Sequence, residues 1–100
     1  MKTQIHSVRF DADKKLLNFI RRKVRKLLQF NERILGAEIF LRLSKSQDAE
    51  NKIVEIKLDI PPGKPLFAKR QSRSFEEATD NALDALKRQI TKQKEKLRGV

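Results

Sequence analysis

The sequence predicts an α+β fold of order β-α-β-β-β-α: a two-layer sandwich, with a four-stranded sheet and both helices packed on one face. Three observations predict it. Two long stretches repeat apolar residues at 3.6-residue spacing, the shorter stretches between and before them alternate apolar with polar, and only brief polar turns separate them. Each helix then has one apolar face and the sheet has one apolar face to receive both. One hundred residues make one domain, 1–100, with room for one modest core.

Residues 3–10 read as the first strand, with Ile5, Val8 and Phe10 as its apolar content. Asp11 or Asp13 can cap a helix that begins just after them. From there to about Phe30 the pattern is helical. Leu16, Leu17, Ile20, Val24, Leu27 and Leu28 share a face, and Lys14, Asn18, Arg21, Arg22, Arg25 and Gln29 occupy the opposite one. Asn31, Glu32, Arg33 and Gly36 mark the exit. Residues 37–44 read as a strand with Ile39, Leu41 and Leu43 on one side and Glu38, Phe40 and Arg42 on the other. A polar turn, 45–51, leads to a strand at 52–60 with Val54, Ile56, Leu58 and Ile60 on one face. Pro61-Pro62-Gly63 stops it, because proline has no N–H for a ladder and glycine admits the turn. A short strand comes next at 65–71, where Pro65 suits a start or an edge.

Ser74 opens the last helix, with Glu77 at capping-box spacing. Phe75, Ala78, Ala82, Leu86 and Ile90 form its stripe, with Leu83 beside them. The stripe fades after Ile90, so the final turns project beyond the core. Strands 2, 3 and 4 are joined by short turns and form an antiparallel meander. If strands 1 and 2 are neighbours, the crossover helix makes them parallel and the connection right-handed.

Charge narrows the function. The formal net charge is +11, and it is unevenly spread. Residues 1–47 hold 12 Lys/Arg against 4 Asp/Glu, whereas residues 48–63 hold 2 against 4. The excess lies in the first helix, in the segment before Ser74, and at the C-terminal end. In the last helix Glu76, Glu77, Asp80 and Asp84 come first and Lys87, Arg88, Lys92, Lys94, Lys96 and Arg98 come last. That order suits the helix macrodipole. Six cations in twelve residues nonetheless exceed what a dipole needs, and the natural partner of such a surface is a polyanion.

No catalytic set stands out. His6 is the one histidine and has no acid or nucleophile near it in sequence. The paired carboxylates lie where a helix start favours acids anyway, so no metal site is assigned. The three glycines are isolated, which excludes a Gly-rich phosphate loop, and the absence of cysteine excludes thiolate chemistry. No cofactor and no small-molecule substrate is implied. No stretch has the apolar length of a signal peptide or a membrane span, so the cytoplasm is the expected location. The apolar face of the basic first helix is needed to cover the sheet, which argues against a membrane-surface role.

Arg21, Arg22, Arg25 and Lys26 on the first helix, Lys69 and Arg70 before the second, and Lys87, Arg88, Lys92, Lys94 and Lys96 at the end are the candidate RNA-phosphate contacts. Arg73 adds to the middle group, near a helix N-terminus that itself favours anions. Most of the six Phe fit core positions, with Phe40 facing away as the exception. Shape-dependent, salt-sensitive contact with structured RNA is therefore expected, rather than base reading.

The element order, together with the closing segment DNALDALKRQITKQKEKLRG, resembles the ribosome hibernation-promoting factor and ribosome-associated inhibitor family, in its short form. Leu86-Lys87-Arg88-Gln89-Ile90 is similar to a Leu-x-Arg-Gln-Leu-like segment of that family, and Lys92, Lys94 and Lys96 to its Lys-rich tail. The family often has an aromatic in the first turn of this helix followed by two small residues. Here Phe75 falls one position early and Glu76 stands in that slot, so no role is carried to it. The resemblance implies binding to the small ribosomal subunit and its ribosomal RNA, in the channel of messenger and transfer RNA. It also implies inhibition of translation in stress or stationary phase. Short members can act alongside a separate ribosome modulation factor. Two other readings compete. One is a general double-stranded or structured RNA-binding module, because the fold is similar to double-stranded-RNA-binding domains. The other is a basic regulatory protein that docks an acidic protein.

Overall fold

A computed structural model describes residues 1–45 and 48–97. The elements are β1 (Lys2–Ser7), α1 (Lys14–Arg25), a 3-10 turn (Lys26–Gln29), β2 (Gly36–Leu43), β3 (Lys52–Asp59), β4 (Leu66–Ser72) and α2 (Phe75–Leu97). The sheet order is β1-β2-β3-β4, parallel between β1 and β2 and antiparallel elsewhere. This is the expected sandwich. The middle of the polar turn at 45–51, and Arg98, lie outside the described residues.

One hydrophobic cluster holds the layers together. Ala37, Ile39, Leu41, Val54, Ile56, Leu58 and Ala68 supply it from the strands, Ile20, Val24 and Leu27 from the first helical segment, and Phe75, Ala78, Ala82, Leu83, Ala85, Leu86 and Ile90 from α2. The buried residues alternate along each central strand, so all of them point to the one face that both helices cover. Each fully buried Ile or Leu contributes about 1.5–3 kcal/mol relative to exposure. Thr79 is the polar member of the α2 stripe, and its Oγ1 donates to the Phe75 carbonyl at 2.7 Å, so its hydroxyl is not left unpaired.

Both helix starts are capped by side chains. Asp13 Oδ1 accepts from the Leu16 N–H at 2.8 Å, and Ser74 Oγ accepts from the Glu77 N–H at 3.1 Å.

Three local features differ from the expected pattern. The first strand ends at Ser7 rather than at residue 10. Arg9 takes φ 66°, a left-handed conformation that turns the chain, and Phe10 swings over to stack on Phe75 at 5.3 Å between ring centroids. The first helix is α-helical only to Arg25, then tightens into the 3-10 turn that keeps Leu27 buried. Leu43 is 47 % exposed although it follows the inward row of Ile39 and Leu41. Its register partner on β3 is Lys52, so the apolar row has already ended there.

Candidate nucleic-acid interface

The helices run in the same direction. Lys23 Nζ meets Asp80 Oδ1 at 3.5 Å, and further along both segments Lys87 Nζ lies 5.4 Å from the ring centroid of Phe30. Position therefore increases along both helices together, and like ends meet. The two starts, with Asp11 and Asp13 just before α1 and Glu76 and Glu77 in the first turn of α2, share one end of the layer, where a hollow lined by Asp11, Asp13, Lys15, Arg22, Phe75 and Glu76 joins them. The basic ends share the other. Cations at both C-terminal ends complement two aligned macrodipoles.

Arg21, Arg22, Arg25 and Lys26 are all exposed on the first helix and its 3-10 extension. Arg21 leans to the edge of the sheet, where its Nη1 donates to the Thr3 carbonyl at 3.2 Å. Arg22 and Arg25 join it around a shallow hollow with Met1 and Thr3. On α2 the cations divide between two sides. Lys87 and Lys94 face the α1 side, with Lys87 also 3.8 Å from Asp84. Lys92 and Lys96 face the β4 side, around a hollow with Lys64 and Leu66. Gln89 fixes that side of the helix by donating to the Phe67 carbonyl of β4 at 2.9 Å. Among the described residues, Arg25, Lys26, Arg88, Lys92, Lys94 and Lys96 make no ion pair with an acid.

Lys69 and Arg70 are not brought together. β4 continues through Ser72, so both stand within the strand, on opposite faces of the sheet. Arg70 lies on the helix side opposite Val54, and its Nη1 donates to the Lys69 carbonyl at 2.8 Å. Lys69 lies on the open side opposite Glu55. That open face also holds what sequence distance concealed. His6 Nε2 and Glu38 Oε2 are 3.1 Å apart, paired across β1 and β2 although 32 residues separate them. The His6 ring stacks on Phe40 at 4.9 Å, and Arg42 covers Phe40 at 5.4 Å while its Nε donates to Glu55 Oε1 at 3.1 Å. Phe40, the expected exposed ring, is thus half-buried between two neighbours, and the exposed aromatics are Phe30 at 38 % and Phe67 at 52 %. The helical pattern gave no sign of Phe30, which falls where the α1 spacing has already tightened. No group of three or more His, Cys, Asp or Glu able to hold a metal ion occurs among the described residues. No helix among them is long and apolar enough to cross a membrane.

Fold and surface together define a small α+β protein whose helix layer concentrates cations at one end. Residues 3–98 match the family described as sigma 54 modulation protein / S30EA ribosomal protein. The chain belongs to this family of ribosome-associated proteins, which is the hibernation-factor family that the last helix resembles. No curated protein matches the sequence. A ribosomal subunit interface protein from Coxiella burnetii is similar in structure, with a TM-score of 0.82 at 21 % identity, over 94 % of this chain and 98 % of that one. The N-terminal domain of Protein Y from Thermus thermophilus is similar with a TM-score of 0.77 at 19 % identity, over 92 % and 98 %. At these identities the likeness is one of fold.

Proposed function

We propose that residues 1–100 act as one ribosome-binding unit, a cytoplasmic hibernation factor without catalytic activity. It would bind the small subunit in the channel of messenger and transfer RNA and so inhibit translation under stress or in stationary phase. One observation carries the reading. Parallel helices gather the cations of Arg21–Lys26 and Lys87–Lys96 at one end, in a chain of a ribosome-associated family. The Coxiella neighbour, described as a ribosomal subunit interface protein, supports the same location. The mechanism is steric: a compact basic body occupies an RNA-lined channel and excludes the RNAs that use it. Arg21, Arg22, Arg25, Lys26, Arg70, Lys87, Arg88, Lys92, Lys94 and Lys96 would contact phosphates from the helix side. Lys69 would reach RNA only where the channel also meets the open sheet face. A separate ribosome modulation factor would act beside it.

Co-sedimentation with purified subunits at graded salt tests this. The protein should travel with small subunits and whole ribosomes, and leave them as salt rises. Equal binding to isolated large subunits would reduce the reading to polycation behaviour. Equal affinity for free duplex RNA would favour the general RNA module, and association that survives ribonuclease would favour an acidic protein partner.

A further inference from the structure

The cationic end of the helix layer contains an exposed ring that charge alone does not explain. Phe30 closes the 3-10 turn and keeps 38 % of its surface in water, where an aromatic side chain gains nothing from burial. Lys87 Nζ, 5.4 Å from the ring centroid, sets it among cations. Beside it opens a cleft of about 490 Å³ whose lining includes Phe30, Arg33, Pro61, Gln93 and Lys94. Glu32 is the one acid among its described lining residues.

The other rings are spoken for. Phe40 lies between His6 and Arg42, Phe10 and Phe75 stack on each other, and Phe19 is half-buried beside a hollow that holds the acids Asp11, Asp13 and Glu76. Phe67 is exposed on the open sheet face, where the acids Glu38, Glu55 and Asp59 offset the cations. Only at Phe30, among the described residues, does an exposed ring adjoin a cleft with two cations in its lining and a third over the ring. A flat apolar surface beside phosphate-binding cations is the arrangement that takes a nucleotide, since every base has a π-face.

We infer that this cleft receives one unpaired nucleotide of the bound RNA, its base stacked on Phe30 and its phosphates against Arg33, Lys87 and Lys94. This rests on the reading that the helix layer binds RNA, and it adds a base contact to an interface otherwise made with phosphates.

The chain has no Trp and no Tyr, so Phe30→Trp introduces a single indole reporter. Poly(U) supplies unpaired bases, and inorganic polyphosphate supplies the charge without them. Poly(U) should quench the indole, and polyphosphate should bind without quenching. Phe30→Leu keeps an apolar side chain but loses the π-face. It should weaken poly(U) binding about fivefold or more, the low end of a lost base stack, while polyphosphate binding and the salt slope stay as in the parent. An indole unquenched at saturating poly(U), or a Phe30→Leu protein that binds poly(U) as tightly as the parent, overturns the inference. The subunit experiment decides separately. A protein that ignores small subunits but shows base-dependent quenching keeps the cleft and loses the ribosome.

Discussion

On the helix side of the sheet, Lys14–Gln29 holds seven cations and no acid, and Lys87–Lys96 holds five cations against Glu95. On the open side, cations and acids alternate in rows across the strands. Glu38 stands opposite Lys57, Glu55 opposite Lys69, and Arg42 pairs with Glu55 at 3.1 Å. Both faces are rich in charged residues, yet one accumulates a sign and the other cancels it. Register explains the difference. Neighbouring strands set residues of distant sequence side by side, and opposite charges there stabilise the pairing. Parallel helices set end beside end, so the basic last turns of α2, which is sorted by sign along its length, lie beside the basic last turns of α1. A net charge of +11 therefore does not give an evenly basic protein.

The largest expected effect tests whether one core supports both faces. Ile20 is fully buried between helix layer and sheet, and Ile20→Ala should cost about 2–5 kcal/mol. In a domain of this size that lowers the thermal midpoint by roughly 10 °C or more. Calorimetry showing an unchanged midpoint would mean the helix layer is not seated as described.

The contrast itself is tested by charge removal. Replacing Lys92, Lys94 and Lys96 together by Gln should lower the slope of log K against log salt for small-subunit binding by about two to three. Replacing Lys2 and Lys57, which line one hollow on the open face, should change it by much less. Equal losses would show that net charge, not its placement, drives association, and the contrast between faces would have no functional meaning.

A smaller effect is expected at the helix start that orients the basic end. Ser74→Ala removes the side-chain acceptor of the Glu77 N–H and should cost about 0.5–2 kcal/mol in urea unfolding, with RNA affinity unaltered. A variant as stable as the parent would show the cap to be dispensable.

The smallest concerns the open face. A double-mutant cycle on Arg42 and Glu55, with Met and Gln as replacements, should return about 1 kcal/mol, because Arg42 keeps 40 % of its side chain in solvent. Loss of subunit binding in either single variant would make the open face part of the interface and sharpen the role of Lys69.

Much of the fold is legible in the sequence. The alternation at Val54, Ile56 and Leu58 marks a strand with one apolar face, and Pro61-Pro62-Gly63 marks its end. The Ser74 cap and the stripe from Phe75 to Ile90 mark the long helix. These are local signals, because a period of 2 or 3.6 is written into consecutive residues. The departures lie at element ends. No periodicity foretells the left-handed Arg9 that cuts β1 short, nor the 3-10 turn that leaves Phe30 exposed. Both reflect where the chain must turn to reach the next element, and the elements it reaches lie far along the sequence.

By itself, then, the sequence determined the order of elements, their apolar faces and the sign sorting along α2, since each depends on residues within a few positions of one another. Tertiary structure alone decided that α1 runs beside α2 in the same direction and so joins two basic ends. It also sent Lys69 and Arg70 to opposite faces, and brought Glu38 to His6 across 32 residues. Those outcomes depend on which strand pairs with which and on how both helices share one apolar surface. That choice is made by burying the common core, to which residues from every part of the chain contribute.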